Sequence, residues 1–144
     1  EWLQNQDLPE NFVFFSIGLS DVDGFLTFFI PKNPLNISHT AFNEGDTTSM
    51  KVKCNRLKSL MKANDHTTID LLKIDIEGFE YQVIEDIVES NIFPKQLLIE
   101  FHHFFKHVGN PKTEKAIDFL KQNGYSLIHI SDSFCEYSFV RNKI

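Results

Sequence analysis

Charged side chains recur along an apolar strand pattern in the middle of the chain. The stretch LLKIDIEGFEYQVIED alternates apolar residues with Lys73, Asp75 and Glu77, and Gly78 follows before a helical pattern begins. This alternation is typical of a β-strand with one apolar face, and the glycine lets the backbone turn sharply. Carboxylates in such a place can accept or orient a proton, so the polar face either carries chemistry or is simply solvated.

A second group of polar side chains ends the next predicted strand, in QLLIEFHH. Glu100 and His102 lie there, and ligands of open α/β sheets bind outside the carboxyl ends of the strands. Two adjacent parallel strands would bring both residues close to Asp75 and Glu77. An imidazole titrates near neutral pH, so the group suits proton abstraction from a hydroxyl or amine. The alternative is a solvated edge strand whose Glu77 or Glu80 only complements a helix dipole.

The elements around these residues alternate between strands and helices. The apolar patterns predict strands at 12–21, 25–30, 50–54, 68–75, 96–102, 125–131 and 134–140, and helices at 55–64, 79–90 and 110–124. This order is typical of a parallel α/β sheet covered by helices. The first two strands are predicted to form a hairpin, and the last two to pair antiparallel. Residues 31–49 are rich in Pro, Asn, Gly, Ser and Thr, which predicts a long loop.

Length and composition indicate one soluble globular domain and exclude several classes of function. The chain has 144 residues, of which 42% are hydrophobic, and a net charge of -6. The acidic balance argues against nucleic acid as a partner, because phosphate binding needs a surplus of Lys and Arg. The two cysteines fit neither a disulfide framework nor a Cys-x-x-Cys metal site. No apolar run approaches the roughly 18 residues that span a membrane, and a cytoplasmic location is expected.

The histidines after the second polar strand raise the question of a metal site. His102, His103 and His107 lie close together in the sequence, next to Glu100. Alternation along a strand sends His102 and His103 to opposite faces, and no His-Glu-x-x-His spacing supports zinc. We therefore predict no metal site. His39, in the long loop, could reach a ligand pocket as a lid residue, although a surface position is the simpler interpretation.

The charged stretch resembles a motif of a known family. LLKIDIEGFEYQVIE is similar to the Lys-x-Asp-x-Glu-Gly-x-Glu motif of the FkbM family of S-adenosylmethionine-dependent methyltransferases, and QLLIEFHH resembles the Glu-x-His strand that follows it there. The matching positions are Lys73, Asp75, Glu77, Gly78, Glu80, Glu100 and His102. Upstream, FSIGLSDVDGFLTFF is similar to the family's strand that ends in Ser-Asp and continues as a hairpin. The resemblance covers nearly the whole chain.

The resemblance implies a class I methyltransferase fold, a Rossmann-like, mostly parallel sheet with an antiparallel hairpin at its C-terminal edge. It implies O-methylation of a small-molecule or sugar hydroxyl, with S-adenosylmethionine as the cofactor. Asp75, His102 and Glu77 are then the candidate catalytic residues, with His102 or Asp75 as the base. The candidate cofactor-binding residues are Ser20, Asp21 and Asp75. The candidate acceptor-binding residues are Glu77, Glu100 and His102.

The chain departs from the family pattern in one respect. The first two strands of the fold, which carry the Gly-rich cofactor loop, have no counterpart, and the six glycines are widely spaced. We therefore expect residues 1–144 to be a single partial domain, the C-terminal part of a longer polypeptide, that binds S-adenosylmethionine poorly by itself. The alternative is a non-catalytic Rossmann-like remnant that serves as an interaction module. The coding sequence upstream of Glu1 would distinguish the two.

Overall fold

The computed structural model describes residues 6–29, 48–105 and 108–142. Within these ranges the chain forms seven strands and three helices. The strands are β1 (Gly18–Leu19), β2 (Gly24–Phe29), β3 (Ser49–Asn55), β4 (Leu71–Ile74), β5 (Gln96–Glu100), β6 (Tyr125–Ile130) and β7 (Glu136–Arg141). The helices are α1 (Leu57–Ala63), α2 (Glu80–Glu89) and α3 (Asn110–Gln122). Most of the predicted long loop, with His39, and also His107 lie outside the described residues.

The described strands form two mixed sheets. One sheet has the order β1-β3-β2 and the other has the order β4-β5-β7-β6. Among these strands, β1–β3 and β4–β5 pair in parallel, whereas β2–β3, β5–β7 and β6–β7 are antiparallel. The prediction of a mostly parallel sheet is therefore wrong, because the C-terminal hairpin folds back and inserts β7 between β5 and β6. The predicted antiparallel pairing of the last two strands is confirmed.

The predicted N-terminal hairpin is wrong in extent and in pairing. Within the predicted range 12–21, the described strand is β1 alone, and the apolar residues 12–15 are exposed. β1 pairs in parallel with β3 rather than with β2, and β2 pairs antiparallel with the other edge of β3. A local apolar pattern can indicate a strand, but it cannot identify a partner that lies far away in the sequence.

The larger sheet, α2 and α3 share one apolar core. The buried core residues are Leu57, Ile74, Tyr81, Val83, Ile84, Ile87, Leu97, Ile99, Phe101, Ala116, Leu120, Tyr125, Tyr137 and Phe139. In α2, Val83, Ile84 and Ile87 recur at helical spacing and are fully buried. Each such side chain contributes about 1.5–3 kcal/mol when it leaves water. This apolar face fixes α2, and with it the first-turn residue Glu80, in the core.

The ends of α3 follow the preferences of glycine and proline. Gly109 is the N-cap, directly before Asn110, at which the helix was predicted to begin, and proline lies in the first turn. Gly124 follows the helix with a φ of 85°, a left-handed conformation that glycine adopts without steric cost. A Cβ at this position would lie 3.3 Å from Arg141 Nη1.

In the described ranges, no helix has the length and apolar character needed to cross a membrane.

A side chain from a preceding turn caps α1. The N-cap residue Arg56 makes no capping bond with its own side chain. Instead, Asp23 Oδ1 accepts hydrogen bonds from Arg56 N at 2.9 Å and Asn55 Nδ2 at 3.0 Å. Asp23 Oδ2 accepts another from Ser59 Oγ at 2.7 Å. The turn before β2 is thereby attached to the start of α1.

Arg56 also joins this region to α2. Its guanidinium forms an ion pair with Asp86, in which Nε lies 2.8 Å from Oδ1. A second nitrogen, Nη2, donates to Ser90 Oγ at 3.0 Å. The Asp86 side chain is only 6% exposed, so Arg56 partners a carboxylate that has little access to water. Arg56, which directly follows β3 of the smaller sheet, therefore connects that sheet to α2 in the main core.

Candidate active site

The carboxyl ends of β4 and β5 lie side by side. The two strands pair in parallel and remain in register to their last paired residues. Asp75 and Glu77 follow β4, while Glu100 ends β5 and His102 comes shortly after it. Because parallel strands run in the same direction, these four sequence-predicted residues lie at the same edge of the sheet.

Three of these side chains converge on one another. His102 Nε2 lies 3.4 Å from Glu77 Oε2 and 3.9 Å from Asp75 Oδ1. One potential ligand atom from each residue lies within 4.8 Å of the others. The His102 side chain is 4% exposed, whereas Asp75 is 37% and Glu77 is 26% exposed. A buried imidazole therefore faces two carboxylates that water can reach.

Glu80 fixes the orientation of the His102 ring. Its side chain is fully buried in the first turn of α2, and Oε1 lies 2.9 Å from His102 Nδ1. The same oxygen accepts hydrogen bonds from the backbone N–H groups of Ile76 at 3.0 Å and Gly78 at 3.1 Å. Because a carboxylate only accepts, Nδ1 of the neutral ring carries the proton. Nε2 then presents its lone pair to the other two carboxylates.

The sequence indicates Glu80 only as a motif match and as a charge near a helix N-terminus. Its contact with His102 was not predicted, because the two residues meet through tertiary packing rather than through a local pattern. The sequence signal that could have indicated this contact is the position of Glu80 in the first turn of the helix. Side chains there point back toward the segment that precedes the helix, which in this chain is the turn carrying Asp75 and Glu77.

The turn between β4 and α2 has an unusual backbone conformation. Glu77 has a φ of 53° and Gly78 a φ of 98°. The left-handed region suits glycine, but it costs a residue with a side chain about 1–2 kcal/mol. The two backbone hydrogen bonds to Glu80 help to hold this turn in place. Strained residues of this kind concentrate at functional sites, and here the turn places the Glu77 carboxylate beside His102.

The surrounding charges control the pKa values of the site. Burial by itself lowers the pKa of His102, but the hydrogen bond to Glu80 and the charges of Glu80, Glu77 and Glu100 outweigh burial and raise it. Burial raises the pKa of Glu100, and the neighbouring Asp75 carboxylate raises it further. The site therefore holds an excess of negative charge, which favours a proton or another cation.

The remaining candidate residues lie outside this cluster. Ser20 and Asp21 follow β1, where the buried Ser20 donates from Oγ to Asp21 Oδ1 at 3.0 Å. In the described part of the chain, their hydrogen bonds join them to β3 and to the turn after β1. His103 lines a pocket of about 260 Å³ with Thr113 and Tyr137, so it faces different surroundings from His102. A pocket of about 440 Å³ between α2 and α3 is lined by none of the predicted site residues.

Two phenylalanines border the buried imidazole. The ring centroids of Phe105 and Phe104 lie 5.1 and 5.5 Å from that of His102. Phe104 is 59% exposed, so its ring offers apolar surface to solvent next to the polar cluster. Ligand sites commonly combine apolar walls with a few polar groups that fix orientation, and this edge of the sheet provides both.

One comparison with known proteins found a match. The family model described as the methyltransferase FkbM domain matches residues 5–127. The matched range includes both motifs on which the sequence-based resemblance rests, and it confirms that resemblance. Methyl transfer is the general activity that the match supports. No match was found among curated proteins or among solved structures.

Proposed function

This chain belongs to the FkbM methyltransferase family, and from that premise we propose that it methylates a hydroxyl group of a small molecule or sugar, using S-adenosylmethionine. The convergence of Asp75, Glu77 and His102 carries the proposal. Methyl transfer to a hydroxyl needs a group that accepts the hydroxyl proton. The cluster offers such groups at the sheet edge where α/β proteins bind their ligands.

The carboxylates of this chain are suited to bind part of this cofactor. S-adenosylmethionine supplies a methyl group activated by a positively charged sulfur. Asp75 and Glu77 offer the negative charge that suits a sulfonium, and Asp21 offers a carboxylate next to buried Ser20 at the end of β1. The six glycines of the chain form no Gly-rich loop for the methionine part.

The side chains of the cluster take separate roles in the proposal. His102 Nε2 or Asp75 accepts the proton of the acceptor hydroxyl, and Glu77 and Glu100 bind or orient the acceptor. Glu80 keeps the imidazole turned so that Nε2 faces the acceptor side. The neighbouring carboxylates raise the pKa of His102, which makes the neutral ring a stronger base. Alignment of the reactants supplies a large further part of the rate.

Methyl transfer by the intact protein tests these roles. The assay supplies methyl-labelled S-adenosylmethionine with a panel of sugars and small molecules that carry hydroxyl groups. At least one of His102→Ala and Asp75→Asn is expected to lower kcat about 100-fold or more, since loss of a general base typically has this effect. Glu85→Gln, an exposed change on α2, is the control. If neither of the first two variants changes kcat, the base assignment is wrong, and transfer to amines alone would contradict O-methylation.

Cofactor binding by the chain itself is a separate prediction. Calorimetric titration of residues 1–144 with S-adenosylmethionine is expected to show weak binding or none, because the glycine-rich cradle is missing from this sequence. S-adenosylhomocysteine, whose sulfur is uncharged, is the control ligand. The difference in affinity between the two ligands measures how much the carboxylates contribute to binding the positive charge. Tight binding of S-adenosylmethionine by residues 1–144 would contradict this prediction.

A further inference from the structure

Potential metal-ligand atoms of Asp75, Glu77 and His102 face one another at distances longer than those of hydrogen bonds. The 3.4 and 3.9 Å separations of His102 Nε2 from Glu77 Oε2 and Asp75 Oδ1 exceed the usual range of about 2.7–3.2 Å for N–H···O bonds. The bond on the other side of the ring, 2.9 Å to Glu80, lies within that range. We propose that Asp75, Glu77 and His102 bind a divalent transition-metal cation of the class of Mn²⁺ or Zn²⁺ between these atoms.

The spacing of the donor atoms suits such an ion. Metal–ligand bonds of about 2.0–2.2 Å hold neighbouring ligand atoms roughly 2.8–3.1 Å apart in octahedral sites and roughly 3.3–3.6 Å apart in tetrahedral sites. The 3.4 Å between Glu77 Oε2 and His102 Nε2 already lies in the tetrahedral range. Asp75 is 37% exposed, so a small rotation of its side chain can close the remaining distance. Three protein ligands leave coordination positions open for water or an acceptor oxygen.

The far side of the His102 ring is arranged as in metal-bound histidines. Such histidines usually donate their second ring N–H to a carboxylate or carbonyl, which fixes the ring and increases its basicity. Glu80 occupies this position with a fully buried carboxylate, and two backbone N–H groups hold that carboxylate in place. This contact lies outside the acidic cluster and is an independent indication that Nε2 is prepared for a ligand.

The local charges favour a cation at the same point. Asp75 accepts a hydrogen bond from Lys73 Nζ through Oδ2 at 3.1 Å, while its Oδ1 faces His102. The carboxylates of Glu77, Glu80 and Glu100 add negative charge around the ring. A divalent ion would offset much of this charge. Spacing among the histidines gave no support for a metal site, because the additional ligands are carboxylates from the turn after β4.

The ligand set determines the class of ion and its use. Two carboxylates and one imidazole suit Mn²⁺ or Zn²⁺ better than Ca²⁺, which takes oxygen ligands. The use of the ion in catalysis rests on the proposed function: it would bind the acceptor oxygen and acidify its hydroxyl. With His102 Nε2 and Asp75 both bound to the ion, neither would serve as the base named above, and the hydroxyl proton would pass to solvent water. Ion binding itself does not depend on methyl transfer.

Titration of the metal-free chain with MnCl₂ tests the proposal without an activity assay. The paramagnetic resonance signal of free Mn²⁺ reports how much ion is bound, and we expect one saturable site per chain. Asp75→Asn and Glu77→Gln each remove a charged ligand and are expected to lower the association constant at least about tenfold. Circular dichroism establishes that both variants fold. Absence of saturable binding, or equal binding by both variants and the wild type, overturns the proposal.

Two controls locate the bound ion. Glu85→Gln makes the same chemical change as Glu77→Gln on an exposed part of α2, and it is expected to leave Mn²⁺ affinity unchanged. In proton NMR spectra, bound Mn²⁺ is expected to broaden the ring signals of His102 before those of His66 and His129. Equal broadening of all three overturns the assignment. Mn²⁺ binding together with no methyl transfer by the intact protein would contradict the proposed function and leave the metal site intact.

Discussion

Glu80 connects three partners through a single carboxylate oxygen. Oε1 accepts hydrogen bonds from two backbone N–H groups and contacts His102 Nδ1. Its other oxygen, Oε2, is buried and has no hydrogen-bond partner among the described residues. A buried carboxylate is stable only when such donors compensate for its lost hydration. Loss of Glu80 would release the turn before α2 and the His102 ring at the same time.

Substitution of Glu80 is therefore expected to destabilise the protein strongly. Glu80→Ala should lower the free energy of unfolding by about 2–4 kcal/mol, because it leaves two backbone N–H groups and one ring N–H without their acceptor. Denaturant unfolding measures the change. Glu85→Ala, on the exposed face of the same helix, should stay within about 0.5 kcal/mol of the wild type. Equal effects of the two substitutions would contradict the role of Glu80.

At the scale of the elements, α1 depends on a residue outside the helix. Its backbone start is capped by Asp23, from the turn before β2, rather than by its own N-cap side chain. Hydrogen bonds from Ser59 and the backbone of Arg56 lower the pKa of the Asp23 carboxyl below its ordinary value of 3.8. A group with a lowered pKa in the folded state binds its proton more weakly there than in the unfolded chain.

The contribution of Asp23 to stability is consequently expected to depend on pH. It is fully present above the unfolded pKa and is lost as the pH falls through the lower pKa of the folded state. The free energies of unfolding of the wild type and Asp23→Asn should differ at about pH 6, and the difference should shrink toward about pH 3. A difference that stays constant over this range would contradict ionised capping by Asp23.

The connection from α3 to β6 leads to another prediction for an element. Gly124 has a φ of 85°, and an added Cβ would meet Arg141 Nη1 at 3.3 Å. Gly124→Ala should therefore lower the free energy of unfolding by about 1 kcal/mol or more. Gln122→Ala, an exposed change at the end of the same helix, serves as the control in thermal unfolding. An unchanged melting temperature for Gly124→Ala would contradict the prediction, because it would mean that the backbone and Arg141 adjust to the added Cβ without loss of stability.

At the scale of the whole molecule, local patterns predicted the elements better than their arrangement. The three helices and the strands after position 48 lie close to their predicted ranges, because apolar spacing reflects the burial of one face. Strand order depends on partners that are distant in the sequence. The insertion of β7 between β5 and β6, and the position of β3 between β1 and β2, could not be read from any single stretch.

The candidate site likewise combines residues whose proximity could be predicted from the sequence with one contact that could not. Asp75, Glu77 and His102 could be placed together from the sequence, because all three lie at the carboxyl ends of strands that were predicted to run in parallel. The geometry supports that placement, while their catalytic roles stay predictions. The burial of Glu80 behind His102 could not be anticipated, since it depends on how α2 packs against the segment after β5.

The bond between Arg56 and α2 is expected to contribute to the stability of the whole chain. Arg56→Ala leaves the 6% exposed carboxylate of Asp86 without its charged partner. The free energy of unfolding is expected to fall, by less than on loss of a fully buried pair, because the Arg56 side chain is partly exposed. Denaturant unfolding measures the loss, and Lys58→Ala, an exposed cation on α1, is the control. Equal stability of Arg56→Ala and Lys58→Ala would contradict this account.

The left-handed backbone at Glu77 has a consequence for laboratory evolution of this protein. Asparagine adopts that conformation more readily than glutamate, so Glu77→Asn is expected to maintain or raise the melting temperature while it removes one carboxylate from the cluster. Repeated selection for heat resistance alone would then favour variants that fold better but have lost part of the candidate site. A screen that scores ligand binding together with melting temperature would be needed to retain glutamate at position 77.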